Sequence, residues 1–194
     1  SQDDHKVQVF SFDDATGKLM DTHQDMLVDN PVCLNFLKMD VEVDPEAQLK
    51  LRNISLIPPT LPIANYVKYV QVGNLVYLSG HGPEKPGGGQ VLGKVGKDLT
   101  VEEGQAAARL VGISLLSTLK GYLGDLNKVK RVVKVLGLVN CTSEFTQQPL
   151  VMNGFSNLMV DVFGNRGKHA RSAVGANSLP NNMAVEIEMI VELK

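Results

Sequence analysis

Tryptophan is absent, and aromatic residues make up only 5% of the 194-residue chain. A stacked aromatic platform for sugars or nucleobases is therefore not expected. Two cysteines, Cys33 and Cys141, are too few for a disulfide framework or a cysteine-built zinc site. Both read as free thiols in a reducing compartment, with a single bridge as the alternative. No apolar run nears the ~20 residues that a membrane-spanning helix needs. A net charge of −2 and a pI of 6.1 lack the basic excess of a dedicated nucleic-acid binder. The opening Ser1-Gln2-Asp3-Asp4-His5 is polar and acidic, without the basic and apolar regions of a secretory signal. The expectation is a soluble cytoplasmic protein, an organelle being the alternative, with neither membrane nor nucleic acid as partner.

The familiar catalytic signatures are missing too. There is no Gly-x-Ser-x-Gly elbow and no His-Glu-x-x-His. Gly93-Lys94-Val95 lacks the hydroxyl residue that would follow the lysine of a phosphate loop. The four histidines, His5, His23, His81 and His169, are scattered, which speaks against a metal site built from them.

What is present has the patterning of a folded domain preceded by an addition. Lys6 to Phe12 alternates polar and apolar like a strand, and Asp13 to Gly17 reads as a turn. A second apolar run follows from Val32 to Leu37 and on to Val43. Residues 1–44 thus form an N-terminal extension, either an extra hairpin or a partly disordered arm. Residues 45–65 read as a connector, with Asp44 and Pro45 able to start a short helix and the prolines 58, 59 and 62 imposing an extended path.

From residue 66 the signals are regular. Val67–Val72 and Leu75–Ser79, separated by Gly73-Asn74, predict a hairpin. Thr100-Val101-Glu102-Glu103 is a capping box that opens an amphipathic helix closed by Gly124 and Asp125. Val129–Val139 reads as a strand buried on both faces. A second helix is predicted from about Pro149 to Phe163 and a strand from Ala170 to Ala176. The last strand runs from Ala184 to Leu193, with Val185, Ile187, Met189 and Val191 alternating against Glu186, Glu188, Ile190 and Glu192. The fold class is α+β: a mixed sheet with two helices packed on one face.

Within these strands the charges carry the chemistry. Arg171 sits in a strand too apolar to hold a bare guanidinium cheaply, so it requires an anionic partner. That partner is either a carboxylate of the protein, with Glu186 expected on a neighbouring strand across one hairpin, or the carboxylate of a ligand. Residue types alone leave both open.

Asn65-Tyr66-Val67, the run from Val72 through Tyr77-Leu78-Ser79-Gly80-His81-Gly82-Pro83, and His169-Ala170-Arg171-Ser172-Ala173-Val174 through Leu179-Pro180 to Glu186-Ile187-Glu188 resemble the Rid (YjgF/YER057c/UK114) family, also labelled endoribonuclease L-PSP. The likeness covers Tyr66 to Leu193, about two thirds of the chain. It implies a chorismate-mutase-like fold and a homotrimer with clefts between subunits. It also implies hydrolysis of reactive 2-imino acids, of the 2-aminoacrylate type, to 2-keto acids and ammonia, with no metal or organic cofactor. By the same likeness Arg171 pairs with the carboxylate of a small metabolite and Glu186 orients or activates water. Tyr66, Gly80, Ala173 and Asn153 line the substrate cleft. Where the best-known deaminase branch has Cys and Gln, this chain has Ala173 and His81. The alternative function is a non-catalytic trimeric module that binds a small carboxylate metabolite or a protein partner. A ribonuclease reading rests on the family label alone.

Overall fold

The computed structural model describes residues 6–13, 18–27, 43–58 and 65–194, which fall into two units, residues 1–41 and 42–194. In the first unit β1 (Lys6–Asp13) and β2 (Lys18–Leu27) pair antiparallel, with an irregularity in register between Val9 and Phe10. β1 follows the alternation seen in the sequence. β2 has polar residues at consecutive positions from Asp21 to Asp25 and no period-two pattern, so its strand character rests on pairing with β1. The apolar run Val32–Leu37, with Cys33, lies outside the described residues.

The second unit opens with α1 (Pro45–Leu51). The Asp44 carboxylate accepts from the backbone N–H groups of Glu46 and Ala47 at 2.9 and 3.3 Å, and Pro45 occupies the first helical position. Next come β3 (Tyr69–Val72) and β4 (Leu75–His81), joined through Gly73 at φ 61°, a left-handed conformation open to glycine at little cost. α2 (Val101–Leu123) carries its capping box in full. The Thr100 hydroxyl accepts from the Glu103 N–H at 3.2 Å, and the Glu103 carboxylate accepts from the Thr100 N–H at 2.8 Å. β5 (Val129–Asn140), α3 (Gln148–Phe163), β6 (Ala170–Ala176) and β7 (Val185–Leu193) complete the unit.

The sheet order is β3-β4-β7-β5-β6. β5 and β6 run parallel, joined by the α3 crossover that a parallel pair requires, and every other pair is antiparallel. α2 and α3 cover one face, and the core lies between them and the strands: Leu115, Leu119, Phe155 and Met159 meet Val76, Leu78, Ile187, Met189 and Val191. The expected two-helix, mixed-sheet architecture is present, with the short α1 added against α3. One expectation fails. β5 is not buried on both faces: Val129, Val132, Val135 and Val139 are buried, whereas Lys130 and Arg131 are exposed and Leu136 and Leu138 half-buried. The helices cover only the side of β5 that carries Val135 and Gly137, so its apolar content on the other side is left without cover in the single chain.

α2 and α3 approach each other closely at glycines. A Cβ on Gly154 would lie 2.0 Å from the backbone oxygen of Gln105, which the helix cannot move aside alone. Gly154→Ala is therefore expected to cost about 2–3 kcal/mol of stability as overpacking at a backbone contact, measured as a fall in the urea midpoint. An unchanged midpoint would refute the contact.

His81 is a core residue, 2% exposed. Its Nδ1 lies 2.7 Å from the Ser79 carbonyl oxygen, which can only accept, so Nδ1 carries the hydrogen. Nε2 therefore accepts from the Thr118 hydroxyl at 2.8 Å. Burial drives the imidazole pKa down to about 4, against the opposing pull of the Ser79 bond. The unfolded chain takes a proton on this residue near the ordinary value of 6.5, whereas the folded chain resists until about pH 4. Stability is thus complete above pH 6.5 and falls between there and pH 4. The difference is roughly 3 kcal/mol. In His81→Gln, which keeps a donor and an acceptor but cannot titrate, chemical denaturation should show a shallower loss across that window. Equal slopes in variant and parent would overturn the assignment.

Candidate functional site

The β5–β6 register pairs Val135 with Arg171 and Gly137 with Ala173, so both site residues of β6 stand on the helix-covered face. There α3 presents polar groups to the guanidinium. Arg171 Nη1 donates to Ser156 Oγ at 2.8 Å and Asn153 Oδ1 at 3.2 Å, and Nη2 donates to the Pro149 carbonyl at 3.2 Å. Positions 149, 153 and 156 are separated by four and three residues and so form one helical stripe. All three acceptors are neutral, and among the described residues no carboxylate forms an ion pair with Arg171. Burial lowers its pKa, but a guanidinium remains charged at any ordinary pH. The half-buried positive charge thus has neutral acceptors in the protein and no carboxylate partner among the described residues.

Behind Ser156 stands His169. Its Nε2 lies 3.1 Å from Ser156 Oγ, and its Nδ1 lies 2.7 Å from the Gly167 carbonyl oxygen. The ring packs edge-on against Phe155, with centroids 5.7 Å apart. Burial is the main cause that lowers its pKa. The Gly167 bond opposes this, and the neighbouring Arg171 charge adds to the lowering.

Glu186 is elsewhere. β5 lies between β6 and β7, so Arg171 and Glu186 are not on neighbouring strands, contrary to the expectation from sequence. β6 takes the edge of the sheet beside β5, while β7 fills the place between β4 and β5, so the chain crosses over β5 before β7 begins. Glu186 pairs with Leu138, one position out of phase with the Val135–Arg171 pair, and therefore points to the open face of the sheet. The internal Arg171–Glu186 ion pair does not form.

On the open face Glu186 meets Gly80. A Cβ at position 80 would lie 2.1 Å from Glu186 Oε1, so the glycine makes room for the carboxyl group. The β4–β7 register is irregular between Leu78 and His81, a bulge of the kind often found beside sites. Burial, then the like charge of Glu188, pushes the Glu186 pKa up from the usual carboxylate value.

The structure thus brings Arg171 together with Asn153, on the face that also carries Ala173, and Glu186 with Gly80, on opposite faces of one sheet. Tyr66 stands 43% exposed in the segment before β3, and among the described residues no hydrogen bond or ring contact ties it to either set. Sequence reasoning missed Ser156, the Pro149 carbonyl and His169. The three- and four-residue spacing from Asn153 and the two-residue spacing from Arg171 were the available signals. The open face is otherwise uncovered, and it mixes charged residues with exposed apolar ones. Val70 and Val72 are 51% and 62% exposed and Tyr77 43%, and Leu136 and Ile190 join Val70 and Tyr77 around a shallow hollow with Lys134 and Glu188.

Comparison with known proteins adds the lineage. The chain is 45% identical over 148 residues to protein TCP17 of Trypanosoma cruzi, covering 76% of this chain and 92% of the relative. Its fold matches the crystal structure of Atu1372 from Agrobacterium tumefaciens, a protein described as of unknown function, with a TM-score of 0.72 and 44% identity over 77% of this chain and 92% of that one. It also matches a structure from Shewanella oneidensis described as a putative endoribonuclease, with a TM-score of 0.75 and 29% identity over 77% and 99% of the two chains. Residues 47–193 match the family described as YjgF/chorismate mutase-like, putative endoribonuclease. With most of its length matched in sequence and in fold, the chain belongs to the YjgF/chorismate-mutase-like family.

Proposed function

We propose that this protein is an imine deaminase, hydrolysing reactive 2-imino acids to 2-keto acids and ammonia in clefts between the copies of a homotrimer. The observation that carries the reading is the unbalanced guanidinium of Arg171, held by neutral acceptors only. A cation kept in that state has an unfilled need for an anion, and a planar carboxylate matches its fork. Glu186 supplies the second requirement. It has no cation partner among the described residues, and its raised pKa brings it nearer to the range where one group can both take and return a proton.

The reaction balances with these two groups. Arg171 holds the carboxylate of the 2-imino acid. Water attacks the C=N carbon while the Glu186 carboxylate takes one of its protons. The same proton passes to nitrogen in the resulting carbinolamine. Glu186 then carries the remaining hydroxyl proton to nitrogen in the same way, the C–N bond breaks, nitrogen leaves as ammonia, and the oxygen left behind becomes the keto oxygen. No electrons are exchanged with a third party.

Arg171 and Glu186 point to opposite faces of one sheet, so a cleft that uses both takes each from a different copy. The uncovered face carrying the exposed Val70, Val72 and Tyr77 supplies the surface for such an assembly. The experiment mixes two variants. Arg171→Ala and Glu186→Gln should each lose at least about a hundredfold in the rate of keto-acid release, assayed with 2-iminopropionate generated in place by an amino-acid oxidase on alanine. Refolded together in equal amounts, they should recover about a quarter of the parent rate, because sites pairing the intact arginine of one copy with the intact glutamate of another reappear. No recovery would place both residues in one copy's site. A parent protein that binds a 2-keto acid without accelerating hydrolysis over buffer would leave a carboxylate-binding module in place of an enzyme.

The pH profile offers a separate check. Glu188 adds to the elevation of the Glu186 pKa, so the acid limb of the rate should lie above the ordinary glutamate range. Glu188→Gln should move that limb to lower pH, because the deprotonated form of Glu186 becomes easier to reach. An unmoved limb would remove Glu186 from the proton transfer.

A further inference from the structure

We propose that His169 is a positioning residue that acts on Arg171 through Ser156, and that a carboxylate taken up at Arg171 draws a proton onto His169. This rests on the reading that Arg171 is the carboxylate-binding group. The geometry is a directional chain of hydrogen bonds. The Gly167 carbonyl can only accept, so His169 Nδ1 carries the hydrogen at 2.7 Å. Neutral Nε2 must then accept, and the donor in reach is the Ser156 hydroxyl at 3.1 Å. With its hydrogen committed to the imidazole, Ser156 turns a lone pair toward Arg171 Nη1, which donates to it at 2.8 Å. Every link has one allowed direction, so neutral His169 fixes the rotor of Ser156, and Ser156 helps fix one arm of the guanidinium. The other constraints on that guanidinium come from Asn153 and the Pro149 carbonyl.

The chain also joins two charges. The groups packed on His169 are Ser156 and the Phe155 ring from α3, the Gly167 carbonyl from the preceding turn, and Arg171 on β6. Arg171 is the charged side chain among them; burial is the first cause that lowers the His169 pKa in the free protein, and the field of Arg171 adds to it. A carboxylate bound at Arg171 cancels that field locally. Protonating His169 then becomes easier, and Ser156 can accept from both Arg171 and His169 with its own hydrogen turned away. By linkage, proton uptake on His169 and carboxylate binding favour each other equally. The expected signature is tighter carboxylate binding as pH falls, over the range in which His169 titrates.

The test uses pyruvate as a stable carboxylate probe with the full-length protein, by isothermal titration calorimetry from pH 7.5 to 5.5. The apparent enthalpy at pH 6 is compared in two buffers of different ionisation enthalpy, which counts protons taken up. The parent should bind more tightly at the lower pH, with net proton uptake. Ser156→Ala and His169→Leu should bind roughly tenfold more weakly at pH 7.5, the scale of one lost charge-assisted hydrogen bond. His169→Gln carries a donor and an acceptor but no titrating group. It should restore the pH 7.5 affinity while losing the pH dependence and the proton uptake, a split that a merely structural role would not produce. Parent-like affinity and proton uptake in Ser156→Ala and His169→Leu would overturn the relay, as would a parent-like pH dependence in His169→Gln. Failure of the parent to bind pyruvate, or equal binding by Arg171→Ala, would instead overturn the carboxylate reading of Arg171, and the coupled uptake with it. NMR titration of His169 separates the two cases without ligand: Arg171→Ala should raise its pKa, and an unmoved titration would overturn the coupling by itself.

Discussion

A guanidinium partly withdrawn from water must find acceptors, and the candidate site depends on how Arg171 finds them. Here the acceptors come from one stripe of α3, through Ser156, Asn153 and the Pro149 carbonyl, and none of them is charged. Neutral acceptors meet the hydrogen-bonding need without neutralising the charge. An internal carboxylate would have closed the site by occupying both. The placement of α3 against β6 therefore both packs the core and supplies the acceptors of Arg171. The close approach of α2 and α3 at Gly112 and Gly154 holds that helix in place.

The second constraint is the alternation of side chains along a strand. Arg171 and Glu186 lie on strands separated by β5 and differ in phase by one residue, which sends them to opposite sides of the sheet. The same alternation explains why the side of β5 bearing Leu136 and Leu138 is apolar yet uncovered. That face leaves apolar side chains such as Val70, Val72 and Tyr77 uncovered in the single chain.

Much of the second unit was legible in the sequence. The capping box at Thr100, the Gly73-Asn74 hairpin and the alternation of β7 are local signals in which side-chain chemistry and backbone geometry agree. β2 was not legible, because its strand character comes from a partner strand and its own residues show no period of two. Asn153 was found by resemblance, whereas Ser156 and His169 were passed over. A serine on a helix and a histidine before a strand are common residues with many possible surroundings, and only the packing of α3 on β6 joins these two to Arg171 in one chain of hydrogen bonds.

The sequence by itself determined the main elements of the second unit, their order and the need of Arg171 for acceptors, because capping, alternation and the cost of burying a charge act over a few residues. Only the tertiary structure decided what surrounds that charge. Strand order and face depend on pairings between residues far apart in the chain, and those pairings put β5 between the arginine and the glutamate. A proximity in sequence of fifteen residues thus became a separation across the sheet.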